Sequence, residues 1–228
     1  MTAPRSANAA DGVILAIDSA TTRVVVAVGT TEGALLEATD WPAGYRHGES
    51  LLPAIDTALD RLGIERGRIA AVVVGTGPGA FTGLRVGIAT AKGLAHGLGR
   101  PIIGISTADA LLSGAPDGAV LLLPAGPSDR LLNRRGGPAT LVPAGTELEI
   151  ESGRPLLALD LDGRAPADAL ELGEAARARL GASLITLGST RLAAGDVDDL
   201  ARLVPEYVTL PRGVQAEVGE VSWSRDRR

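Results

Sequence analysis

The sequence contains no cysteine, and this absence removes several kinds of chemistry at once. Disulfide bonds, thiolate nucleophiles and zinc sites with thiolate ligands are all excluded. Only 2% of the residues are aromatic, so leucine, valine, isoleucine and alanine must fill the core, and few side chains could stack on nucleic acid bases. The two histidines, His47 and His96, are too far apart in sequence to form a spaced pair of metal ligands, and we interpret both as structural.

Basic residues are also scarce, since 22 of them face 27 acidic residues and the net charge is −5. A protein that bound RNA by itself would need a basic stripe to displace counterions from the phosphates. The one basic run is at 225–228, which we interpret as a solvated tail, so another subunit would have to hold any nucleic acid. Neither the stretch 1–11 nor a later segment has the apolar length of a signal peptide or a membrane span. We therefore expect a soluble, cytoplasmic protein with no membrane partner.

Strong periodic patterns predict the secondary structure of the first half. Apolar and β-branched runs predict five strands, at 13–17, 23–28, 34–39, 69–74 and 102–105. Helical spacing predicts three helices, at 49–62, 81–98 and 107–112. The resulting order is β-β-β-α-β-α-β-α, and helical crossovers should make the last two strands parallel to the first. This order is similar to that of the ribonuclease-H-like half of the actin and sugar kinase superfamily.

A run rich in glycine and proline at 113–118 is the best boundary signal in the chain. We predict a first lobe over 12–112, a second and diverged lobe over 113–212, and flexible tails at 1–11 and 213–228. Within the second lobe, strands are expected at 120–123 and 156–161, separated by a region interrupted by proline and glycine. A helical segment should then run from 167 to 194, in one piece or in two pieces broken near Gly181.

The most informative segment is Gly-Pro-Gly-Ala-Phe-Thr-Gly-Leu-Arg-Val-Gly at 77–87. A glycine-rich turn before a helix can bind phosphate, but this one lacks the Lys-Ser/Thr of a Walker loop and the spacing of the dinucleotide fingerprint. The four glycines inside the helix at 81–98 each cost about 1 kcal/mol relative to alanine, so some packing must offset them. Gly83, Gly87 and Ala91 form a stripe of small residues that would let another helix approach closely.

Two interpretations of this helix remain open. In the first, one face packs on the helix's own sheet and the other meets a partner polypeptide. In the second, the glycine stripe packs only against the sheet of its own domain. We favour the first, which predicts that Gly87→Arg leaves the fold intact and abolishes partner binding.

Asp18, at the end of the first strand, is a second candidate site. In kinases of this superfamily an aspartate here and the hairpin after it handle metal and phosphate, so Asp18 and Thr21 are secondary candidates for cofactor binding. An aspartate at a strand end more commonly accepts hydrogen bonds from backbone N–H groups, and we favour that structural role. We predict no metal site and no catalytic residue.

Four segments, at 14–21, 47–55, 77–87 and 101–107, resemble the TsaB (YeaZ) family of tRNA threonylcarbamoyladenosine biosynthesis proteins. The resemblance spans roughly 13–112. It implies an α/β, actin-like (ASKHA, ribonuclease-H-like) fold of two lobes, with mixed sheets flanked by helices. It also implies a non-catalytic scaffold or activator that pairs with the catalytic subunit TsaD, for threonylcarbamoyl transfer to the adenosine next to the anticodon of tRNA.

The resemblance implies several further properties. The partners would include a TsaE-like ATPase, tRNA would be reached only through the complex, and the isolated chain would form a homodimer. No intrinsic cofactor is implied, and ATP or ADP could lie at the interface of the complex. The glycine-rich helix would be the pairing surface, and the expected partner-binding residues are Phe81, Thr82, Gly83, Arg85, Val86, Gly87, Thr90, Ala91 and Leu94.

Some parts of the sequence depart from the family's pattern. The catalytic relative carries a metal-binding His-x-x-x-His where this chain reads 106–112 without histidine, so a metallopeptidase is disfavoured. Asp129 and Arg130 are candidates for a displaced Asp-Ala-Arg motif, and 205–208 resembles a closing Pro-x-Tyr stretch. The alternative function is an actin-like small-molecule kinase or ATPase acting alone. It would need an adenosine-binding glycine motif, for which 135–138 is the only candidate.

Overall fold

The computed structural model describes residues 12–43, 47–148, 150–151 and 153–206, and at 47 and 48 it describes the backbone only. The predicted flexible tails and the tyrosine of the Pro-x-Tyr stretch, Tyr207, lie outside the described residues. None of the helices in the described part of the chain combines the length and the apolar character needed to cross a membrane.

Five strands form the first sheet in the spatial order β3-β2-β1-β4-β5. They are β1 (Val13–Asp18), β2 (Arg23–Thr30), β3 (Leu35–Pro42), β4 (Ile69–Gly75) and β5 (Ile102–Ile105). The first three are antiparallel neighbours, whereas β4 is parallel to β1 and β5 is parallel to β4. The helices are α1 (His47–Leu62), α2 (Phe81–Leu98) and α3 (Thr107–Leu112). The predicted order of elements and the predicted parallel strands are confirmed.

Helices cover both faces of this sheet, which explains why β1 is apolar up to its last residue, Asp18. Its odd-numbered residues, Val13, Leu15 and Ile17, pack with α1 and α2, while Ile14 and Ala16 pack on the opposite side. Every residue of β1 is buried, because consecutive side chains of a strand point to opposite faces and each face here is covered. α1 and α2 therefore form an outer layer of the molecule.

A second sheet is built by the later part of the chain, in the order β8-β7-β6-β9. Its strands are β6 (Val120–Ala125), β7 (Asp129–Arg134), β8 (Thr140–Val142) and β9 (Leu156–Ala158). β6 and β9 were expected, but β7 and β8 lie in the region for which only interruption by proline and glycine was predicted. They form by antiparallel pairing, β7 with β6 and β8 with β7.

The predicted helical segment is divided into α4 (Ala167–Arg177) and α5 (Leu180–Ala193). The break falls before Gly181, which lies inside α5, where an added Cβ would be 3.1 Å from the Cβ of Ala27 in β2. Gly188 brings α5 even closer to β4, since a Cβ there would be 2.3 Å from Cγ2 of Val73. Although α5 follows the second sheet in sequence, it packs on the first sheet. The proposed boundary between two lobes at 112/113 stays a prediction.

Candidate functional site

Helix α2 begins at Phe81 and ends at Leu98, as predicted, and Gly99 follows in the left-handed conformation with φ 61°. The nine expected partner-binding residues fall into three groups. The exposed ones are Thr82 and Arg85, the partly buried ones are Phe81, Val86, Thr90 and Leu94, and the buried ones are Gly83, Gly87 and Ala91. The expected binding residues therefore do not share one accessible surface.

The glycine stripe of α2 faces the interior and packs on the turn between β1 and β2. A Cβ added at Gly83 would lie 2.1 Å from the carbonyl oxygen of Ser19, and one added at Gly87 would lie 2.2 Å from the Ser19 Oγ. Gly79, just before the helix, is equally close to the carbonyl oxygen of Ala20, at 2.1 Å. Real Cβ atoms do not approach so closely, so a side chain at Gly79 or Gly83 would have to displace backbone, and one at Gly87 would have to displace the Ser19 hydroxyl.

This packing corrects two expectations about the stripe. The polypeptide that approaches Gly83 and Gly87 is the chain's own β1–β2 turn. This agrees with the second interpretation, in which the glycine stripe packs within its own domain. The expectation that Gly87→Arg would leave the fold intact is wrong, because the Ser19 side chain already occupies the space next to Gly87. A different face of α2 must be considered for a partner.

Hydrogen bonds join the same turn to the start of α2. The Ser19 hydroxyl donates to the carbonyl oxygen of Gly83 at 2.8 Å, in a buried position. The backbone N–H of Ala80 donates to the carbonyl oxygen of Ala20 at 2.7 Å. Since Ala80 caps the helix without a side-chain hydrogen bond, the turn does much of the work of placing the first turn of α2.

The outward face of α2 carries small residues that no contact among the described residues explains. Ala89, Gly93 and Gly97 are exposed and spaced four residues apart, so they lie along one side of the helix. A Cβ added at Gly93 or Gly97 would meet no described atom within 4 Å. In α1, half of the Leu52 side chain is exposed. The conformational cost of glycine at 93 is thus not offset within the described part of the chain.

Asp18 is fully buried, and both of its carboxylate oxygens accept intrachain hydrogen bonds. One oxygen accepts from the N–H of Ala20 at 2.9 Å and the other from the hydroxyl of Thr107 at 2.7 Å. Burial raises the pKa of Asp18 to about 6, against the lowering effect of these two hydrogen bonds. Gly75 is so close that a Cβ there would be 1.8 Å from the carboxylate. These contacts agree with the structural role that we favoured.

Thr21, the other cofactor candidate, is also buried and bonded locally. Its hydroxyl donates to the carbonyl oxygen of Arg23 at 3.1 Å and accepts from the Arg23 N–H at 3.2 Å. Within the described residues, no three histidine, aspartate or glutamate side chains come together in a way that could hold a metal ion. A cofactor role for Asp18 and Thr21 stays a prediction.

The candidate residues of the second lobe contact neighbouring backbone. Asp129 accepts from the N–H of Ala144 at 2.9 Å, and Arg130 donates to the carbonyl oxygen of Thr146 at 2.7 Å, so both brace the turn after β8. Gly136, in the proposed adenosine motif, donates its N–H to the carboxylate of Asp109 at 2.8 Å. Of the two histidines, His96 is exposed in the last turn of α2, where a basic group suits the helix dipole.

One partly buried polar cluster that joins the two sheets was not predicted from the sequence. Asp160, just after β9, accepts from the N–H of Thr22 at 3.0 Å and from its hydroxyl at 2.5 Å. Arg177, at the end of α4, donates to Asp160 at 2.7 Å, to Thr22 at 3.0 Å and to Glu174 at 2.8 Å. The Arg177 and Asp160 side chains are only 6% and 9% exposed. We call Thr22, Asp160 and Arg177 the inter-sheet clamp.

Comparison with known proteins finds relatives that share part of this chain. A family model described as tRNA N6-adenosine threonylcarbamoyltransferase, TsaD, matches residues 42–130. An uncharacterized protein of Mycobacterium leprae, ML0378, is 41% identical over 103 residues, which are 43% of this chain and 28% of that protein. The Escherichia coli tRNA threonylcarbamoyladenosine biosynthesis protein TsaB is 39% identical over 104 residues, 45% of this chain and 43% of TsaB. The chain thus spans less than half the length of these relatives.

Solved structures extend the similarity to most of the fold. YeaZ from Pseudomonas aeruginosa superimposes with a TM-score of 0.67 at 22% sequence identity, covering 86% of this chain and all of YeaZ. At this identity the match establishes the fold alone. Together with the mixed sheets and flanking helices, it confirms the predicted actin-like, ribonuclease-H-like fold class.

Proposed function

Because the chain belongs to the TsaB (YeaZ) family, we propose that it is a non-catalytic subunit that pairs with a TsaD-like catalytic subunit through the outer face of α2. The complex would transfer a threonylcarbamoyl group to the adenosine next to the anticodon of tRNA. The observation that carries the proposal is the exposed row of Ala89, Gly93 and Gly97, where small residues lie on the surface and an added Cβ at either glycine would meet no described atom within 4 Å.

How closely two helices can approach depends on the size of the side chains between them. A helix normally fills its outer face with long polar side chains, which keep a neighbouring backbone away. Here Ala89 and Gly93 leave the α2 backbone open, and the partly buried Val86 and Leu94 flank them. A partner helix could bury these positions and recover the stability that an exposed glycine forfeits.

The acidic composition supports a division of labour within the complex. With a net charge of −5, this chain is poorly suited to bind tRNA by itself. In our proposal the catalytic partner holds the tRNA, a TsaE-like ATPase acts on the assembled pair, and ATP or ADP binds at the interface of the complex. The complex would operate in the cytoplasm, and an isolated chain would use the same face of α2 to form a homodimer.

Two matched arginine substitutions test the location of the interface. Ala89→Arg places a long charged side chain in the middle of the proposed surface, whereas Ala175→Arg does so on an exposed position of α4. Because alanine and arginine have similar helix propensities, both variants should fold and melt like the wild type. A disrupted interface centre typically costs 2 kcal/mol or more, so we expect Ala89→Arg to weaken binding of a TsaD-like subunit about 30-fold or more.

Binding is measured by calorimetry, and the mass of the isolated chain by light scattering. Ala175→Arg should bind the catalytic subunit as the wild type does, and Ala89→Arg should also convert the expected homodimer into a monomer. Unchanged affinity of a well-folded Ala89→Arg variant would place the interface elsewhere. ATP hydrolysis by the isolated chain, unaffected by the catalytic subunit, would instead favour the alternative of a kinase or ATPase acting alone.

A further inference from the structure

The inter-sheet clamp connects to α2 through a short series of direct contacts. Asp160 and Arg177 hold Thr22, the last residue of the turn between β1 and β2. Earlier in the same turn, Ser19 and Ala20 hold the start of α2 through the hydrogen bonds to Gly83 and from Ala80. The four-residue turn thus has the clamp at one end and the pairing helix at the other.

Asp160 has an unusual backbone conformation for this role. Its φ is +57°, and it is the one non-glycine residue with positive φ among those that the structure describes. Non-glycine residues adopt this conformation at a cost, so surrounding interactions must hold it there. The two hydrogen bonds from Thr22 and the ion pair with Arg177 hold its side chain, and Arg164 donates to its carbonyl oxygen at 3.3 Å.

Arg177 is committed to the clamp as well. Its two terminal nitrogens reach Thr22, Asp160 and Glu174, while its buried Nε finds no hydrogen-bond partner among the described residues. An arginine that tolerates an unpaired buried N–H is held mainly by its terminal contacts. The guanidinium therefore fixes the carboxylate of Asp160 in the position from which it binds both donors of Thr22.

From this continuity we infer that Asp160 and Arg177 are positioning residues for α2. The second sheet, through these two side chains, holds the β1–β2 turn in the conformation that seats Gly83 and Gly87 on Ser19. Loss of the clamp frees the Thr22 end of the turn and loosens the first turn of α2, while the sheets stay folded. The inference rests on the proposed function only for its consequence, namely that the helix so positioned is the one that meets the partner.

Two substitutions at position 160 separate the hydrogen bonds from the backbone conformation. In Asp160→Gly the glycine adopts positive φ without strain, but the two carboxylate oxygens that accept hydrogen bonds from Thr22 are lost. Asp160→Asn also tolerates this conformation and keeps a carbonyl oxygen that can accept from Thr22, so it serves as the conservative rescue. Amide hydrogen exchange of the isolated full chain is then followed at Ala80, whose N–H bonds to Ala20, and at Val72 in the centre of the first sheet.

We expect Asp160→Gly to accelerate exchange at Ala80 about tenfold or more, the effect of losing charge-assisted hydrogen bonds, with little change at Val72. Asp160→Asn, which keeps one acceptor oxygen but loses the second acceptor and the charge that pairs with Arg177, should recover part of the protection. Unchanged exchange at Ala80, or equal acceleration at Ala80 and Val72, would overturn the inference, because the second pattern reports general destabilisation. The measurement needs no partner, so failure of the wild-type chain to bind a TsaD-like subunit would count against the proposed function and not against the clamp.

Discussion

Two glycines of the same helix should respond in opposite ways to the same substitution. Gly83 faces inward, and its added methyl group would lie 2.1 Å from the carbonyl oxygen of Ser19. Gly93 faces outward, and its methyl group would meet no described atom within 4 Å. We therefore expect Gly83→Ala to destabilise the protein and Gly93→Ala to stabilise it.

The magnitudes follow from the contacts. At Gly83 the methyl group and the carbonyl must separate by about 1.3 Å to reach ordinary contact, and such overpacking typically costs 1–3 kcal/mol. The movement also weakens the Ser19 hydrogen bond to Gly83, worth about 1 kcal/mol, whereas the better helix propensity of alanine returns about 1 kcal/mol. The net expected loss is about 1–3 kcal/mol. Gly93→Ala has only the propensity term and should gain up to about 1 kcal/mol.

Thermal unfolding followed by circular dichroism measures both effects. In a protein of this size 1 kcal/mol shifts the midpoint by roughly 2–4 °C. Gly83→Ala should therefore melt about 3–10 °C below the wild type, and Gly93→Ala about 2–4 °C above it at most. A stabilised Gly83→Ala variant would refute the placement of α2 on the β1–β2 turn. A destabilised Gly93→Ala variant would show that this position is not open in the isolated chain.

Two further perturbations test buried contacts elsewhere in the molecule. Burial raises the pKa of Asp18 to about 6 from its ordinary 3.8, so the folded state disfavours the carboxylate above that pH, and the penalty fades as pH falls towards 4. At pH 8 the free energy of unfolding of Asp18→Asn should thus exceed that of the wild type by up to about 3 kcal/mol, and near pH 4 this difference should disappear. Urea unfolding at both pH values measures the difference. Asp117, which is fully exposed, provides the control, because Asp117→Asn should not raise the free energy of unfolding in this way. A stability difference between Asp18→Asn and the wild type that did not change with pH would contradict the raised pKa of Asp18. Gly173→Ala would place a Cβ 1.9 Å from the carbonyl oxygen of Ala158. We therefore expect α4 to separate from β9 and the melting midpoint to fall by several degrees. An unchanged midpoint would show that α4 does not pack on this strand.

Local patterns were sufficient to predict the first sheet and its helices. The bounds of α2, β5 and α3 coincide with the predictions, because each is delimited by its own apolar period and by a neighbouring glycine, proline or serine. The second sheet was less predictable. β7 and β8 are short and polar in part, and they exist because they pair with β6, which is information that a single segment does not contain.

The amino-acid sequence is sufficient to predict that α2 is a helix rich in small residues, whose conformational cost close packing must offset. Which of these residues face inward depends on how the helix packs on the rest of the chain. Gly83 and Gly93 are chemically identical, so no hydropathy pattern distinguishes the glycine that admits Ser19 from the one that lies open on the surface. The inter-sheet clamp was equally inaccessible, because Thr22 meets Asp160 and Arg177 across 138 and 155 residues, and such contacts arise only when two sheets pack together.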